Sequence, residues 1–193
     1  MRGPAVPNPH NEVWVFARAK DPRASYLSNF TRMTGKPLAV VLPEQTTPTE
    51  FQSVELAFHA CKFFCLVGGS RPDLAAEFAV GGRLGGLEGA AQKSAGGKKA
   101  FRERGVTLDL EKWGAMVGEV LRMCVHARAA VDSTMRTYLR QLCEAGTHIR
   151  HYVRFQHYRG ADGKLVGDPS HDDLGLLLTE IGAAEAAAVI VVE

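Results

Sequence analysis

The stretch Ser53–Phe63, which reads SVELAFHACKF, decides the fold because it predicts a buried helix. Ser53 is a typical N-cap residue, since its hydroxyl oxygen can accept a hydrogen bond from a free N–H of the first turn. Apolar residues recur at spacings of four, three and four, the repeat of one helix face: Val54, Phe58, Cys61 and Cys65. The pattern predicts a helix from Ser53 to about Val67.

A second face of this helix carries charge. Glu55, His59 and Lys62 follow one another at spacings of four and three residues, so they share one side. A carboxylate on such an apolar helix can act as a general acid or base in a cleft, with Lys62 as its neighbour. Alternatively, Glu55 only stabilises the first turn through the helix dipole. The residue types leave both interpretations open.

Helical patterns outnumber strand patterns on both sides of this stretch. Strands are predicted at 13–16, 38–42 and 148–155, and loops at 44–50 and 159–171. Further helices are predicted at about 72–80 and 110–129, then from Asp132 until a stop at Gly146, and finally from Asp172 or Asp173. We therefore expect an α+β, helix-dominated fold with a single compact domain over residues 12–182. An extended N-terminal arm, 1–11, and an apolar C-terminal tail, 183–193, flank it.

Composition excludes several classes of protein. Of 193 residues, 46% are apolar and 23% are charged, which excludes a disordered, collagen-like or coiled-coil chain. The net charge of +2 is too balanced to predict nucleic-acid or membrane binding. The first residues lack the apolar core of a secretory signal, and no stretch approaches 18 apolar residues. We expect a soluble, intracellular protein, cytoplasmic by default.

The glycine-rich stretch Gly81–Gly97 does not match a P-loop, because Lys93-Ser94 follows Gln92 and Lys98 is followed by Lys99. Gly96-Gly97-Lys98-Lys99 still offers free backbone amides and two cations, which suits an anion. A solvated basic turn remains the other interpretation.

Metal ligands are not predicted either. Cys61 and Cys65 lie among apolar residues, as core cysteines do, and the sequence contains no C-x-x-C and no H-x-x-x-H pair. We therefore expect neither a metal nor another cofactor.

The order of short segments resembles that of the NADAR family, the NAD- and ADP-ribose-associated or YbiA-like N-glycosidases. The matching pieces are Tyr26-Leu27-Ser28-Asn29-Phe30; Ser53-Val54-Glu55 through Ala60-Cys61-Lys62-Phe63; Gly96-Gly97-Lys98-Lys99-Ala100-Phe101 with Arg104-Gly105-Val106; Trp113 with Met116 and Arg128; and Asp173-Leu174-Gly175-x-Leu177-Leu178. They run over about residues 26–181 in the family's order.

The resemblance implies a compact, helix-rich α+β fold and an N-glycosidase that cleaves the bond between a ribose phosphate and a base. Known substrate classes of the family are riboflavin-pathway intermediates and ADP-ribose attached to guanine. By the resemblance, Glu55 stands at the ribose, and Lys98 or Lys99 acts covalently or holds phosphate; these three are the candidate catalytic residues.

The same resemblance makes Ser28 and Asn29 the nucleotide-facing turn and places Trp113 beside the pocket, although Trp113 also fits an apolar core stripe. Asp172 completes the candidate substrate-binding residues.

The chain departs from the family near its C-terminus. An acidic residue of the family falls at Val153, or at Gln156 in an alternative register. A tryptophan falls at Tyr158 or Arg159, and the asparagine of N-x-L-G becomes Asp172. Loss of an acid–base group commonly lowers a rate by about 10²–10⁴.

Two functions follow from these matches and departures. The first is an inactive or divergent homologue that serves as a binding or structural subunit of a larger assembly, with other protein chains and an ADP-ribose-like or ribosyl-phosphate ligand as partners. The alternative is an active N-glycosidase, a hydrolase of ribose-phosphate nucleotides or ADP-ribosylated bases.

Overall fold

The computed structural model describes residues 11–151, 157–159, 165–167 and 173–190. In chain order the elements are β1 (Glu12–Val15), α1 (Pro22–Tyr26), β2 (Leu38–Val41), β3 (Pro48–Phe51), α2 (Val54–Cys61), a 3-10 turn (Lys62–Phe64), α3 (Pro72–Ala76), α4 (Ala90–Ala95), α5 (Lys98–Glu103), α6 (Leu110–Val131), α7 (Ser133–Glu144), β4 (His148–His151), β5 (His157–Arg159), β6 (Leu165–Gly167) and α8 (Asp173–Ile190). Contacts divide the chain into a central unit, Ser28–Ser133, and a flanking unit formed by the described residues up to Leu27 and from Thr134 onward.

The central unit is built around α2. This helix packs against α6, α3 and α4, while α6 also packs on β2, which pairs antiparallel with β3. Nearly every residue of α2 is buried, since apolar side chains surround it. The helix is therefore the core element that its sequence predicts.

In the flanking unit, β1 and β4 pair in parallel, from Glu12 opposite His148 to Val15 opposite His151. Helix α8 packs on β4, and α1 packs on β1. β5 and β6 form a separate antiparallel pair.

Two predicted helix starts are confirmed. The Ser53 hydroxyl accepts a hydrogen bond from the Leu56 N–H at 3.2 Å. The Asp109 carboxylate accepts hydrogen bonds from the N–H groups of Glu111 and Lys112, at 3.1 and 3.0 Å. Both caps satisfy backbone donors that the helix itself leaves free.

Other boundaries differ from the predictions. α2 ends at Cys61 and tightens into the 3-10 turn, whose closing bond runs from the Cys65 N–H to the Lys62 carbonyl at 3.0 Å. α3 ends at Ala76 rather than near residue 80. Part of the loop predicted at 44–50 is strand β3; Pro48 is its first residue, a position at which a strand tolerates proline.

The predictions for the C-terminal part of the chain are confirmed only in part. The strand predicted at 148–155 is confirmed over β4, and residues 152–155 lie outside the described ones. β6 lies within the predicted loop. The boundary expected after residue 182 lies inside α8. Gly182 is required there by close packing, because a Cβ at this position would lie 2.7 Å from the Leu139 carbonyl oxygen of α7.

Some predictions fall beyond the described parts. Residues 1–10 of the arm, Val153, Gln156 and Asp172 lie outside the described residues, whereas Tyr158 and Arg159 belong to the backbone of β5. Helices dominate over small two-stranded sheets, so the helix-dominated α+β prediction is confirmed at that level. Within the described ranges, no helix is both long and apolar enough to cross a membrane.

A buried ion pair fixes the end of α6. Arg128 and Asp132 are 1% and 4% exposed, and Nε of Arg128 lies 3.0 Å from Oδ2 of Asp132. Nη1 of Arg128 donates a hydrogen bond to the Ser28 carbonyl at 2.9 Å, which ties the helix to the start of the central unit.

Replacing Asp132 with alanine should therefore destabilise the protein strongly. The change leaves the buried Arg128 guanidinium without its carboxylate, a loss of about 3–5 kcal/mol in the free energy of unfolding. Urea unfolding of Asp132→Ala measures it. The control is Asp73→Ala, which breaks the exposed Arg71–Asp73 pair and should change little. Equal effects of the two substitutions would contradict a structural role for the buried pair.

Candidate functional site

Helix α2 brings Glu55 and His59 together inside the central unit. Oε1 of Glu55 lies 3.0 Å from Nε2 of His59, and the side chains are 12% and 4% exposed. The i,i+4 spacing places both groups on one helix face, as the sequence predicts. A carboxylate and an imidazole so deeply buried need a specific electrostatic environment.

That environment holds Glu55 ionised and His59 neutral. Burial raises the pKa of Glu55, but the adjoining His59 and the charges of Lys62 and Lys93 lower it by more, so the pKa lies below its ordinary value. Burial also lowers the pKa of His59, with Lys62 adding to the effect and Glu55 opposing it. At neutral pH, Glu55 is therefore an anion beside a neutral ring.

The His59 ring is held by packing. Within the described residues, neither ring nitrogen makes a hydrogen bond of regular geometry, although Nε2 lies close to Glu55. The backbone at Gly96 lies directly against the ring, so that a Cβ on Gly96 would overlap the imidazole atoms. Glycine is required here because no side chain fits between this turn and α2.

Lys62 lies on the same side of the chain as Glu55 and His59. Its ammonium occupies an aromatic corner, formed by the rings of Phe58 and Trp113. Its Nζ lies 5.4 Å from the ring centre of Phe58 and 5.6 Å from that of Trp113. These two rings pack edge to face at 5.1 Å. Nζ also donates a hydrogen bond to the Gly96 carbonyl at 3.4 Å. The ammonium is thus held by two ring faces and one carbonyl.

Burial lowers the pKa of Lys62 to about 8, with Glu55 opposing the change and Lys93 adding to it. The Lys62 ammonium is therefore charged at neutral pH and loses its proton in mildly alkaline solution.

A cavity of about 810 Å³ opens beside this ammonium. Its described lining combines cations, aromatic and aliphatic side chains and glycine backbone: Lys62, Gly96, Gly97, Lys98, Phe101, Arg102, Gly105, Val106, Thr107, Leu108, Leu110 and Trp113. Three of these residues are cationic and none carries a carboxylate. The lining suits an anion that also has an apolar part.

The structure also has a second cavity, of about 520 Å³, and the two candidate lysines, Lys98 and Lys99, differ in which cavities they line. Lys98 borders both cavities, whereas Lys99 borders only the second one, and its Nζ lies 3.7 Å from Glu103. Helix α5, which begins at Lys98, has only six residues, so its dipole adds little to anion binding. Binding at this turn depends on the side chains.

The other predicted site residues lie apart from the larger cavity. Ser28 is buried, and its carbonyl accepts from Arg128; the Asn29 carbonyl accepts a hydrogen bond from the Glu55 N–H at 3.0 Å. These residues position the first turn of α2. Among the described residues that line the cavity, Trp113 and Lys98 are present and Glu55, Ser28 and Asn29 are not.

The sequence did not predict that Lys62 lines the larger cavity and lies against two aromatic rings. Sequence reasoning noted Lys62 only as a neighbour of Glu55, and did not single out Arg102 or Phe101. The available signal was a lone lysine in an apolar run, between Cys61 and Phe63. Across the described parts of the chain, no group of three or more His, Cys, Asp or Glu side chains is arranged to hold a metal.

The packing of Gly96 predicts that Gly96→Ala destabilises the protein. The added methyl group overlaps His59, and overpacking of this kind costs about 1–3 kcal/mol. Thermal unfolding measures the loss. Gly35→Ala is the matched control, because a Cβ at Gly35 meets nothing within 4 Å. An unchanged melting temperature in Gly96→Ala would contradict the close approach.

The low pKa of Lys62 predicts that anion affinity falls as the pH rises through about 8. Lys62 attracts an anion only when protonated, so its contribution to affinity is nearly full about one pH unit below 8, is halved near pH 8 and is nearly lost about one unit above. Sulfate is a suitable probe, since its charge stays constant over pH 6.5–9.5, and calorimetric titration measures its affinity.

The Lys62→Arg variant should keep the affinity and lose this pH dependence, because arginine stays protonated throughout. A wild-type affinity that is constant from pH 6.5 to 9.5 would exclude Lys62 from the binding site.

Searches of protein-family models, curated proteins and solved structures find no match to this chain. The resemblance to the NADAR family therefore rests on the segments quoted from the sequence, and the family stays a hypothesis.

Proposed function

We propose that this chain is a divergent NADAR-type protein that binds a ribosyl-phosphate ligand in the 810 Å³ cavity and turns it over slowly or not at all. One observation carries the proposal: the cavity is lined by cations and aromatic rings, while Glu55 is absent from its described lining. The site is thus equipped for binding more fully than for catalysis.

The binding argument starts from charge and shape. Lys62, Lys98 and Arg102 supply three cations for a phosphate group. Trp113 supplies a ring surface for a base. The volume falls within the range of about 300–1,000 Å³ that is usual for small-ligand sites.

The cost of burying Lys62 also supports a functional role. Its pKa of about 8 lies below the ordinary 10.5, so the unfolded chain holds this proton more strongly than the folded one. The contribution of Lys62 to stability is therefore less favourable at pH 7 than above pH 10, by about 3 kcal/mol for a shift of this size. Costs of this kind concentrate at functional sites.

Catalysis has a weaker basis. Hydrolysis of an N-glycosidic bond needs a carboxylate near C1 of the ribose, where positive charge develops. Glu55 is ionised, but its side chain is 12% exposed and its charge is offset by Lys62. By the resemblance, the family's acidic residue near the C-terminus falls at Val153, or at Gln156 in the alternative register, and neither residue is acidic.

The alternative of an active N-glycosidase is favoured by one observation. The pKa of Glu55 is held below its ordinary value despite burial, because His59, Lys62 and Lys93 outweigh desolvation. A permanently charged carboxylate is what the ribosyl cation requires.

The proposal also includes a role as a binding or structural subunit. This role, with partner chains of a larger assembly, comes from the resemblance and its altered C-terminal positions, and it remains part of this proposal.

Binding of ribose 5-phosphate, measured by calorimetry, tests the first part. Lys98→Ala should weaken binding by about tenfold, the effect of one charge-assisted contact. Lys99→Ala is the matched control, since Lys99 borders only the second cavity, and should bind as the wild type does. Equal losses in both variants, or no binding by the wild type, would reject this cavity as the site.

Base release tests the second part, with ADP-ribosylated guanine and a ribosylaminopyrimidine phosphate as substrates. The wild type should be very slow or inactive. Robust turnover that falls at least about a hundredfold in Glu55→Gln would establish the active enzyme instead, because this variant keeps the shape and removes the charge.

A further inference from the structure

The cavity has a marked imbalance of charge. Its described lining holds Lys62, Lys98 and Arg102 and no carboxylate. The carboxylates adjacent in sequence to the lining, Glu103, Asp109 and Glu111, are not among the lining residues. Glu103 lies 3.7 Å from the Lys99 ammonium, and Asp109 caps α6. A positively charged group that enters the cavity therefore meets like charge.

Glu55 does not remove this imbalance. It is buried outside the lining and faces His59 within 3.0 Å. The single negative charge of Glu55 interacts with two positive charges, those of Lys62 and of the exposed Lys93, and both lower the pKa of Glu55. Lys98 and Arg102 remain uncompensated within the lining.

The Trp113 ring, which would otherwise attract a cation, already has the Lys62 ammonium beside it. The Lys62 ammonium lies within 5.6 Å of the Trp113 ring centre and 5.4 Å of the Phe58 ring centre. A second cation at Trp113 would compete with this ammonium and be repelled by it. A neutral ring meets no such repulsion.

The lining also contains apolar side chains. Besides Trp113 they are Val106, Leu108 and Leu110, of which Leu110 is 74% exposed. A flat, uncharged heteroaromatic ring can cover this surface and bury it from water.

We infer that this cavity selects among ribosyl phosphates by the charge of the base: it accepts a neutral aromatic base against Trp113 and rejects a cationic pyridinium. This inference rests on the proposed function, since it assigns the base end of the same ligand. The same cations bind the phosphate and repel a positively charged base.

The test compares nicotinamide mononucleotide with its reduced form. Both keep the ribose 5-phosphate, but the first carries a cationic pyridinium ring and the second a neutral dihydropyridine ring. Calorimetry at pH 7, where Lys62 is protonated, should show at least about tenfold tighter binding of the reduced form, as expected for one unscreened repulsion near the mouth of a cavity.

A carboxylate placed in the lining should reduce this preference. Thr107 is exposed and lines the cavity, so Thr107→Asp adds negative charge without disturbing the core. Thr107→Asn is the control of equal size. The ratio of the two affinities should fall at least about threefold in Thr107→Asp and stay unchanged in Thr107→Asn.

The outcomes separate this inference from the proposed function. Binding of ribose 5-phosphate together with equal or tighter binding of the oxidised nucleotide overturns the charge selection alone. Binding of ribose 5-phosphate but of neither nucleotide also overturns it, because the base is then excluded. Failure of all three ligands to bind removes the proposed function and the inference with it.

Discussion

The site depends on the contact between the Gly96 backbone and the imidazole ring of His59. The absence of a side chain at Gly96 lets the turn between α4 and α5 close directly onto α2. The same turn presents its carbonyl to the Lys62 ammonium at 3.4 Å. Gly96 and Gly97 then continue as the cavity wall, with Lys98 next to them. A single backbone approach thus sets the position of the Lys62 ammonium and of the glycine part of the cavity wall.

Around this contact, α2 carries groups whose electrostatic effects oppose one another. Desolvation disfavours charge on Glu55, His59 and Lys62, yet Glu55 and Lys62 each stabilise the other's charged form. His59, which lies 3.0 Å from Glu55, stays neutral, so its burial adds no third charge to those of Glu55 and Lys62. Together, α2 and the 3-10 turn that follows it keep one anion and one cation largely out of water, with the cation Lys62 in the described cavity lining and the anion Glu55 outside it.

The local part of the fold could be predicted from the sequence, because its causes are local. The caps at Ser53 and Asp109 depend on a side chain and backbone groups two or three residues away. Gly146 ends α7 in a left-handed conformation, with φ of 62°. Strand β3 was not predictable, since Pro48 and its polar neighbours become a strand only by pairing with β2.

From the sequence, the residue types of the site and their shared helix face could be predicted, but the contacts around them could not. Glu55, His59 and Lys62 could be placed on one helix face by spacing alone. The aromatic corner around Lys62 depends on Trp113 of α6, and the packing on His59 depends on Gly96; both contacts join segments far apart in the sequence. Gly182 shows the same limit, because it marks a close helix crossing and not the end of a domain.

The parallel pairing of β1 with β4 sets an order of events during synthesis. The central unit is continuous in sequence, so its strands and helices can form as the chain emerges. β1 must wait for β4, which follows about 130 residues later; at translation rates of 5–20 residues per second the delay is roughly 7–26 s. For that time Val13 and Val15 lack their partner strand, and an unpaired strand edge is a template for association with other chains. The nascent protein therefore passes through a stage in which β1 has no partner along the edge at which β4 later pairs.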